Sequence, residues 1–599
     1  NWMVQEPYMM QMTGFAETQH AIKSFVEGLV GTDKTKQWYD AWHKNFMSKA
    51  DIDSIASWGY NASRLPMHYN MYTLPIELEP DSGKQTWITE GFDLTDSIIK
   101  WCTARSIYVI LDLHATPGGQ GREASISDYD TLKPSLWESQ LNRKKTISLW
   151  KMLAARYGHN PWVGGYDLIN EICWSFSTKN KGWDETENIP LMKLMTDLTN
   201  AIRQVDQKHI VFVEGNSFAN NYAGLTPKWD NNMAYSFHKY WNNTDESSLN
   251  FIFQIRDWQN VPIWLGETGE NSNYWFTKCR ELLESHNIGW SWWPLKKFGG
   301  INSPFSIKVT NGYQKILDYG NKTGAKPTTD EAFAALMGVA EGLKPQNLGF
   351  NKDVIDAMFR QPGNTQTKPY TSLFIPGTIN EIDYDMGLQG YSYNDKEYQN
   401  TDGGNWNIGW AGRNDGVDLQ WSTPENKYTM GWTNKDEWVN YTVNVKNTDS
   451  YRFILRYASG ASTKDTVDIN LDGNLICYFI ASNTGGWDVW KNSDQSAKIP
   501  ITSGSHILTV KFRSGSVNFS SIQSIYEPKS QTIQLQKGWN LISTNVIPTD
   551  SSITTLFKGL DVQEIKTMDA FWRKGQSSIF NTITTIKSGK GYLVYMNVG

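Results

Sequence analysis

The chain has 599 residues, too many for one domain, with 56 Lys+Arg against 62 Asp+Glu and a formal net charge of -6. No Lys/Arg-rich run could follow a phosphate backbone, which excludes nucleic acid as the expected partner, and no apolar stretch reaches the about 18 residues of a membrane span. The 28 Trp and 28 Tyr supply flat faces with a polar edge, suited to large cores and to sugar rings alike.

The chain opens in NWMVQEPYMM, without the charged, apolar and small-residue order of a signal peptide. From there to about residue 320, strand-like apolar runs alternate with helical patterns, the pattern of a parallel sheet covered by helices. The strand candidates are YNASRLPM, SIYVILDL, VGGYDLIN, HIVFVEG, MAYSFH, VPIWLGE and IGWSWWP, with helical periodicity between them in TISLWKMLAARYG and IPLMKLMTDLTNAIRQV. Seven strands are legible; an eight-stranded barrel needs one more upstream, either the run WMVQE or a strand ahead of it. A doubly wound sheet would carry a glycine fingerprint after its first strand. The GGQG of ATPGGQGRE lacks that spacing and reads as a loop.

Between about 325 and 360, EAFAALMGVAEGL and DVIDAMF are amphipathic and are expected to pack on the closing end of the barrel. The polar RQPGNTQTKPY marks a linker. Beyond about 374, short alternating runs such as EWVNYTVNV, YRFILRYAS, VDINLDG and HILTVKF give an all-β sandwich pattern. A last strand-like unit from about 530 is too small to hold much core alone. The expected domains are thus 1–365, 374–527 and 530–599. Cys102, Cys173, Cys279 and Cys477 show no CxxC spacing and read as small buried hydrophobes.

Glu171 in YDLINE and Glu267 in VPIWLGE each follow a strand-like run. Cleaving a glycosidic bond with retention takes one protonated carboxyl as general acid and one ionised carboxylate as nucleophile, roughly 5 to 5.5 Å apart. A barrel that gathers its strand ends on one face would bring two such distant residues together.

With these motifs in order, the barrel region resembles a glycoside hydrolase of family five, the cellulase-type clan of (β/α)8 barrels. The residues that carry the resemblance are Arg64 in SRLPM, His114 in LDLHATP, Asn170 and Glu171 in LINE, His238 and Tyr240 in FHKY, Glu267 in LGET and Trp293 in WSWWPLK. The resemblance implies Glu171 as acid/base and Glu267 as nucleophile. Arg64 and Tyr240 would lower the pKa of Glu267, burial and the neighbouring charge would raise that of Glu171, and Asn170 would bond the sugar 2-hydroxyl. His114 and His238 would bind hydroxyls or steady the carboxylates. Trp293 would floor the cleavage subsite, with Trp292 as fallback because alternation sends only one of them inward. Trp174, Trp241 and Trp275 are candidates for neighbouring subsites.

The stretch from about 374 to 526 resembles a family six carbohydrate-binding module, on IPGTINEIDYD, NDGVD, MGWTNKDEWVNYTVNV, LRYAS, NTGGWDVW and VNFSSI. The resemblance implies Trp432 and Trp487 as the two aromatics that sandwich a sugar and Asn518 as the Asn that hydrogen-bonds it. Its calcium-holding EAE reads Asn380, Glu381 and Ile382 here, which leaves Glu381 or nearby carbonyls as ligands. The C-terminal unit resembles small β-modules that end some secreted bacterial proteins and receives no role.

These resemblances imply a secreted or cell-surface bacterial enzyme, monomeric and without a cofactor for catalysis. It would cleave β-1,4-glucan internally with retention while a module holds it on polymer. β-1,3-glucan, mixed-linkage glucan, xylan and mannan remain open as substrates, since the shared residues touch mostly one sugar. The rival of another class is a non-catalytic carbohydrate-binding or adhesion protein.

Overall fold

The computed structural model describes residues 3–177, 180–399, 401, 406–527, 530–546, 548 and 550–598. Seven parallel strands run in chain order, each paired with the next: β1 (Ala62–His68), β2 (Tyr108–Ala115), β3 (Val163–Asp167), β4 (Ile210–Glu214), β5 (Met233–Lys239), β6 (Ile263–Gly269) and β7 (Gly289–Trp293). Helices Thr89–Thr103, Gln140–Tyr157, Ile189–Arg203, Asn250–Gln259 and Asn273–Ser285 form the returns after β1, β2, β3, β5 and β6. Helices cover the outer face while side chains fill the inside, so the strands are buried on both faces: Val109, Leu111 and Leu113 lie on one face of β2 and Ile110, Asp112 and His114 on the other, and all six are buried. Each of the seven strand candidates overlaps one of these strands, and VGGYDLIN runs three residues past the end of β3.

β7 comes back beside β1 without pairing to it, and Ala62, Arg64 and Leu65 face Trp290 and Trp292 across a gap of about 100 Å³. Among the described residues no eighth strand fills this gap. Residues 3–6 of the WMVQE run are buried irregular chain, and Trp2 lies outside the described residues. The physical reason is local: the backbone N–H of Gln5 is taken by Gln19 Oε1 at 2.7 Å rather than by a neighbouring strand.

Helix Thr329–Gly342 starts in a capping box made by Thr328 and Glu331 and joins the barrel's core cluster, with Asn45 Nδ2 donating to Ala340 O at 2.9 Å. Helix Lys352–Phe359 lies on Asn273–Ser285, where Thr277 Oγ1 donates to Ala357 O at 2.8 Å. The linker is pinned rather than loose: Lys368 and Met386 exchange both backbone hydrogen bonds, at 2.9 and 2.8 Å.

The next unit is a sandwich of two mostly antiparallel sheets. One is built around Trp438–Val445, Gly504–Phe512 and Asp465–Leu471, the other around Asn518–Glu527 and Asp449–Ser459. Val439, Tyr441, Val443 and Val445 alternate inward from a single strand into a core of their own. A four-stranded sheet of Gly538–Ser543, Gly591–Met596, Val562–Lys566 and Phe571–Arg573 closes the chain over a small cluster that includes Ile542, Ile565 and Val594. The four cysteines are unpaired, three buried and Cys477 half-buried. Among the described residues no helix is long and apolar enough to cross a membrane.

Candidate active site and sugar-binding cleft

Arg64 of β1 organises the barrel site. Its side chain, 3% exposed, is ringed by Asp112, Asp167, Glu214 and Glu267. Nε donates to Asp167 Oδ2 at 2.9 Å and Nη1 to Glu267 Oε1 at 2.5 Å, while Nη2 donates to Asn170 Oδ1 at 2.9 Å and Glu214 Oε1 at 3.1 Å. A planar fork with donors in fixed directions can hold several strand ends at once, which a lysine could not.

Glu267, at the end of β6, also accepts the Tyr240 hydroxyl at Oε2, 3.0 Å away. Burial alone would raise its pKa, but the charges of His238, Arg64 and His114 and the Tyr240 bond outweigh it and hold the carboxyl down at about 2. Glu171 is shifted the other way. Burial raises it, Glu267 and Glu214 push in the same direction, and His238 opposes. The two environments differ as an acid and a nucleophile require. Glu171, His238 and Glu267 each place one atom within 4.8 Å of the others, so the two carboxyls approach within that distance.

The strand ends are held by a second layer of bonds. Glu171 has a left-handed backbone, φ 37°, which costs a non-glycine residue, and its N–H donates to Glu214 Oε2 at 2.7 Å. His238 Nδ1 lies 2.7 Å from Glu171 Oε1, and Nε2 lies 3.2 Å from Glu214 Oε1. Burial works against the imidazolium of His238, yet Glu214 and Glu267 keep it protonated. His114 sits between Asp112 Oδ2 at 2.8 Å and Glu6 Oε1 at 3.3 Å and stacks on Trp293, ring centres 5.1 Å apart. Burial lowers its pKa, but the carboxylates win and raise it to about 10. Asn170 Nδ2 reaches His114 Nε2 at 3.3 Å.

Arg64, His114, Asn170, Glu171, His238, Tyr240, Glu267 and Trp293 therefore share one site. Trp293 points inward and donates Nε1 to Tyr8 Oη at 3.0 Å, whereas Trp292 packs outward on Phe276 with ring centres 4.6 Å apart. The three loop tryptophans separate. Trp241 is exposed, Trp174 is buried beneath Arg122 and Tyr129, and Trp275 belongs to the core. For Trp275 the expected subsite role is corrected. It sits in the first turn of Asn273–Ser285, capped by Ser272, and bonds Asn242 O at 2.9 Å.

Sequence reasoning missed Glu6, Tyr8, Asp112, Asp167, Glu214 and Gln120. Asp112 was findable from its place two residues before His114 on the same face of β2. Glu214 ends β4 as Glu171 and Glu267 end their runs, so the strand-end pattern alone cannot tell the three apart. Gln120, in the GGQG loop, ties two strands by donating to His114 O at 2.7 Å and Asn170 O at 2.8 Å. Its neighbour Gly119 has φ 77°, and a Cβ there would lie 2.8 Å from Tyr129.

In the sandwich, Trp432 and Trp487 are 44% and 48% exposed and line one cleft of about 590 Å³ with Asn518, Asp395 and Asp418. Asn518 is buried and donates Nδ2 to Trp487 O at 2.7 Å, which fixes the loop bearing that indole. Both indoles offer a face to a ring, and the carboxyls can accept from hydroxyls.

Glu381 is different. It is fully buried, and burial raises its pKa to about 7 against the opposing charge of Lys427. Lys427 Nζ lies 3.2 Å from Glu381 Oε2 and donates to Asn380 Oδ1 at 2.9 Å and Ser520 O at 2.6 Å. An ammonium already stands among the oxygens that a calcium ion, which takes 6 to 8 oxygen ligands, would need. Lys427 thus takes Glu381 Oε2, Asn380 Oδ1 and Ser520 O, while Glu381 Oε1 is buried without a hydrogen-bond partner among the described residues.

Residues 19–299 match Cellulase (glycosyl hydrolase family 5), and residues 411–525 match Carbohydrate binding module (family 6). A beta-xylosidase of Phanerodontia chrysosporium is 30% identical over 242 residues, 40% of this chain and 46% of that protein. Endoglucanase C of Acetivibrio thermocellus is 27% identical over 197 residues, 33% of this chain and 50% of that protein. The chain thus spans about half the length of the curated relatives it matches. A solved endoglucanase from Thermotoga maritima shares 17% identity over 49% of this chain and 91% of that one, with a TM-score of 0.34. The chain joins a glycosyl hydrolase family 5 cellulase domain to a family 6 carbohydrate binding module.

Proposed function

We propose that the chain is a secreted, monomeric glycoside hydrolase that cleaves β-1,4-glucan internally with retention and is held on polymer by its sandwich module. The observation that carries this reading is the pair Glu171 and Glu267, within 4.8 Å and pushed to opposite protonation states. Glu267 attacks the anomeric carbon while Glu171 gives its proton to the leaving oxygen. The glycosyl-enzyme removes the negative charge of Glu267, which lowers the pKa of Glu171 and lets it take a proton from water in the second step. Reducing ends released from cellulose derivatives, laminarin, mixed-linkage glucan, xylan and mannan test the reading; release from none would sink it.

A second reading, action at chain ends on one of these glycans, is favoured by one observation. The N-terminal segment lies on the site, Glu6 against His114 and Tyr8 against Trp293, and narrows it. A single small product throughout the reaction would favour this reading, and a ladder of oligosaccharides the first.

In the module, Trp487→Ala removes one stacking face and is expected to weaken oligosaccharide binding by roughly tenfold or more, the scale of about 2 kcal/mol for truncating an aromatic anchor of a binding site. Calorimetric titration reads this, and unchanged affinity would return Trp487 to a packing role. We also propose that Lys427 replaces the structural cation of this fold. The melting temperature of the native chain should then be the same in EDTA and in calcium. Lys427→Ala, which removes the donor shared by Glu381, Asn380 and Ser520, should cost about 1–2 kcal/mol in denaturant unfolding. A fall in melting temperature on chelation of the native chain would refute the replacement.

A further inference from the structure

We infer that Asn414, in the sandwich module, is a positioning residue for Glu267 in the barrel; this rests on the glycosidase reading above. The loop of Arg413, Asn414 and Asp415 enters the rim of the barrel. There Asn414, fully buried, gives both Nδ2 hydrogens to the segment that leaves β6, to Asn271 O at 2.8 Å and to Asn273 Oδ1 at 3.0 Å. Its own carbonyl accepts the Asn273 N–H at 2.8 Å, and its N–H donates to Asp353 Oδ2 at 3.1 Å. Asn273 Nδ2 bridges Asp353 and Asp415, at 2.9 Å each, so carboxylates from both domains close on one amide.

The path continues to the chemistry. Asn271 Nδ2 donates to Tyr240 O at 2.8 Å, and the Tyr240 hydroxyl donates to Glu267 Oε2 at 3.0 Å. The segment between Glu267 and Asn271 needs such support, since Gly269 and Glu270 both have positive φ, 148° and 51°. The module's loop is stiff on its own side. Arg413 pairs with Asp415 at 2.8 Å and lies over the rings of Tyr384 and Tyr370, at 3.8 and 4.2 Å. Docking alone would not require this arrangement: Asn414 Oδ1 is buried without a hydrogen-bond partner among the described residues, a cost that a small apolar residue would avoid. What the amide supplies is two donors aimed at the loop of the nucleophile.

The test compares native protein, Asn414→Asp, Asn271→Ala and the double variant on a soluble aryl β-glycoside, a substrate too small to engage the module's cleft. Asn414→Asp keeps the volume and removes the donors. Each single variant is expected to lose about tenfold in kcat with KM within about twofold, since small misplacements of reacting groups cost rate rather than binding. The acid limb of kcat should move to higher pH as the Tyr240 bond to Glu267 loosens, and the double variant should lose no more than the worse single one. A folded Asn414→Asp with native kcat and native acid limb would overturn the inference. Should that variant not fold, Asn271→Ala cuts the same path from the barrel side, and its native kcat and acid limb would overturn it equally. Native protein inert on every glycoside would instead defeat the glycosidase reading, and the inference with it.

Discussion

Glu267→Ala is expected to lower kcat on an activated aryl β-glycoside by roughly 10⁵-fold or more, the scale seen when a nucleophile is removed from a site whose groups act as a unit. The loss follows from the geometry. Arg64, His114, His238 and Tyr240 all converge on this one carboxylate, and no other carboxyl takes its place. Asp112, Asp167 and Glu214 are fully buried beneath Arg64. Azide, small enough for the vacated space, should restore turnover and give the α-glycosyl azide, the product of a single displacement. Glu171→Ala should behave in the complementary way. With a leaving group that needs no proton the first step survives, the glycosyl-enzyme accumulates, and azide takes the place of water to give the β-glycosyl azide. Native activity in Glu267→Ala, or an α-azide from Glu171→Ala, would reverse the assignment.

The second large effect concerns stability. Arg64→Ala leaves four buried carboxylates around a hole, and breaking a buried pair by removing one partner costs about 3–5 kcal/mol. Denaturant unfolding at pH 7 should show a loss of at least that size, together with loss of activity. Its pH dependence has a definite sign. The folded pKa of Glu267 is depressed from the ordinary 4.5 to about 2, so its stabilisation is complete above 4.5 and is lost as pH falls toward 2. The gap between native and variant should therefore be widest above pH 4.5 and shrink below it. A gap independent of pH would mean that Arg64 acts through packing alone.

Much of this architecture is legible in the chain. The seven barrel strands show because burial on both faces leaves uninterrupted apolar runs, and sandwich strands such as Trp438–Val445 show because only one face is buried and the pattern alternates. Glu171 and Glu267 stand out through the motifs around them. What stayed hidden depends on contacts between distant residues. The run WMVQE looks like a strand, yet its Glu6 reaches His114, more than a hundred positions away. Trp275 looks like a loop residue because a Ser272 cap and a first helical turn are hard to separate from a loop. Lys427 cancels the charge of Glu381 from another strand, which a departure from EAE cannot reveal. Asn414 and Asn271 are ordinary turn residues until two domains meet.

The central claim is a double displacement through Glu267 with Glu171 as acid and base. Proton NMR of the first turnovers on a soluble β-linked oligosaccharide, read before mutarotation, tests it most directly. The account predicts that the β-anomer of the new reducing end appears first and the α-anomer grows in only at the rate of mutarotation. Initial appearance of the α-anomer would mean that water attacks directly, and would contradict the assignment of Glu267 as nucleophile.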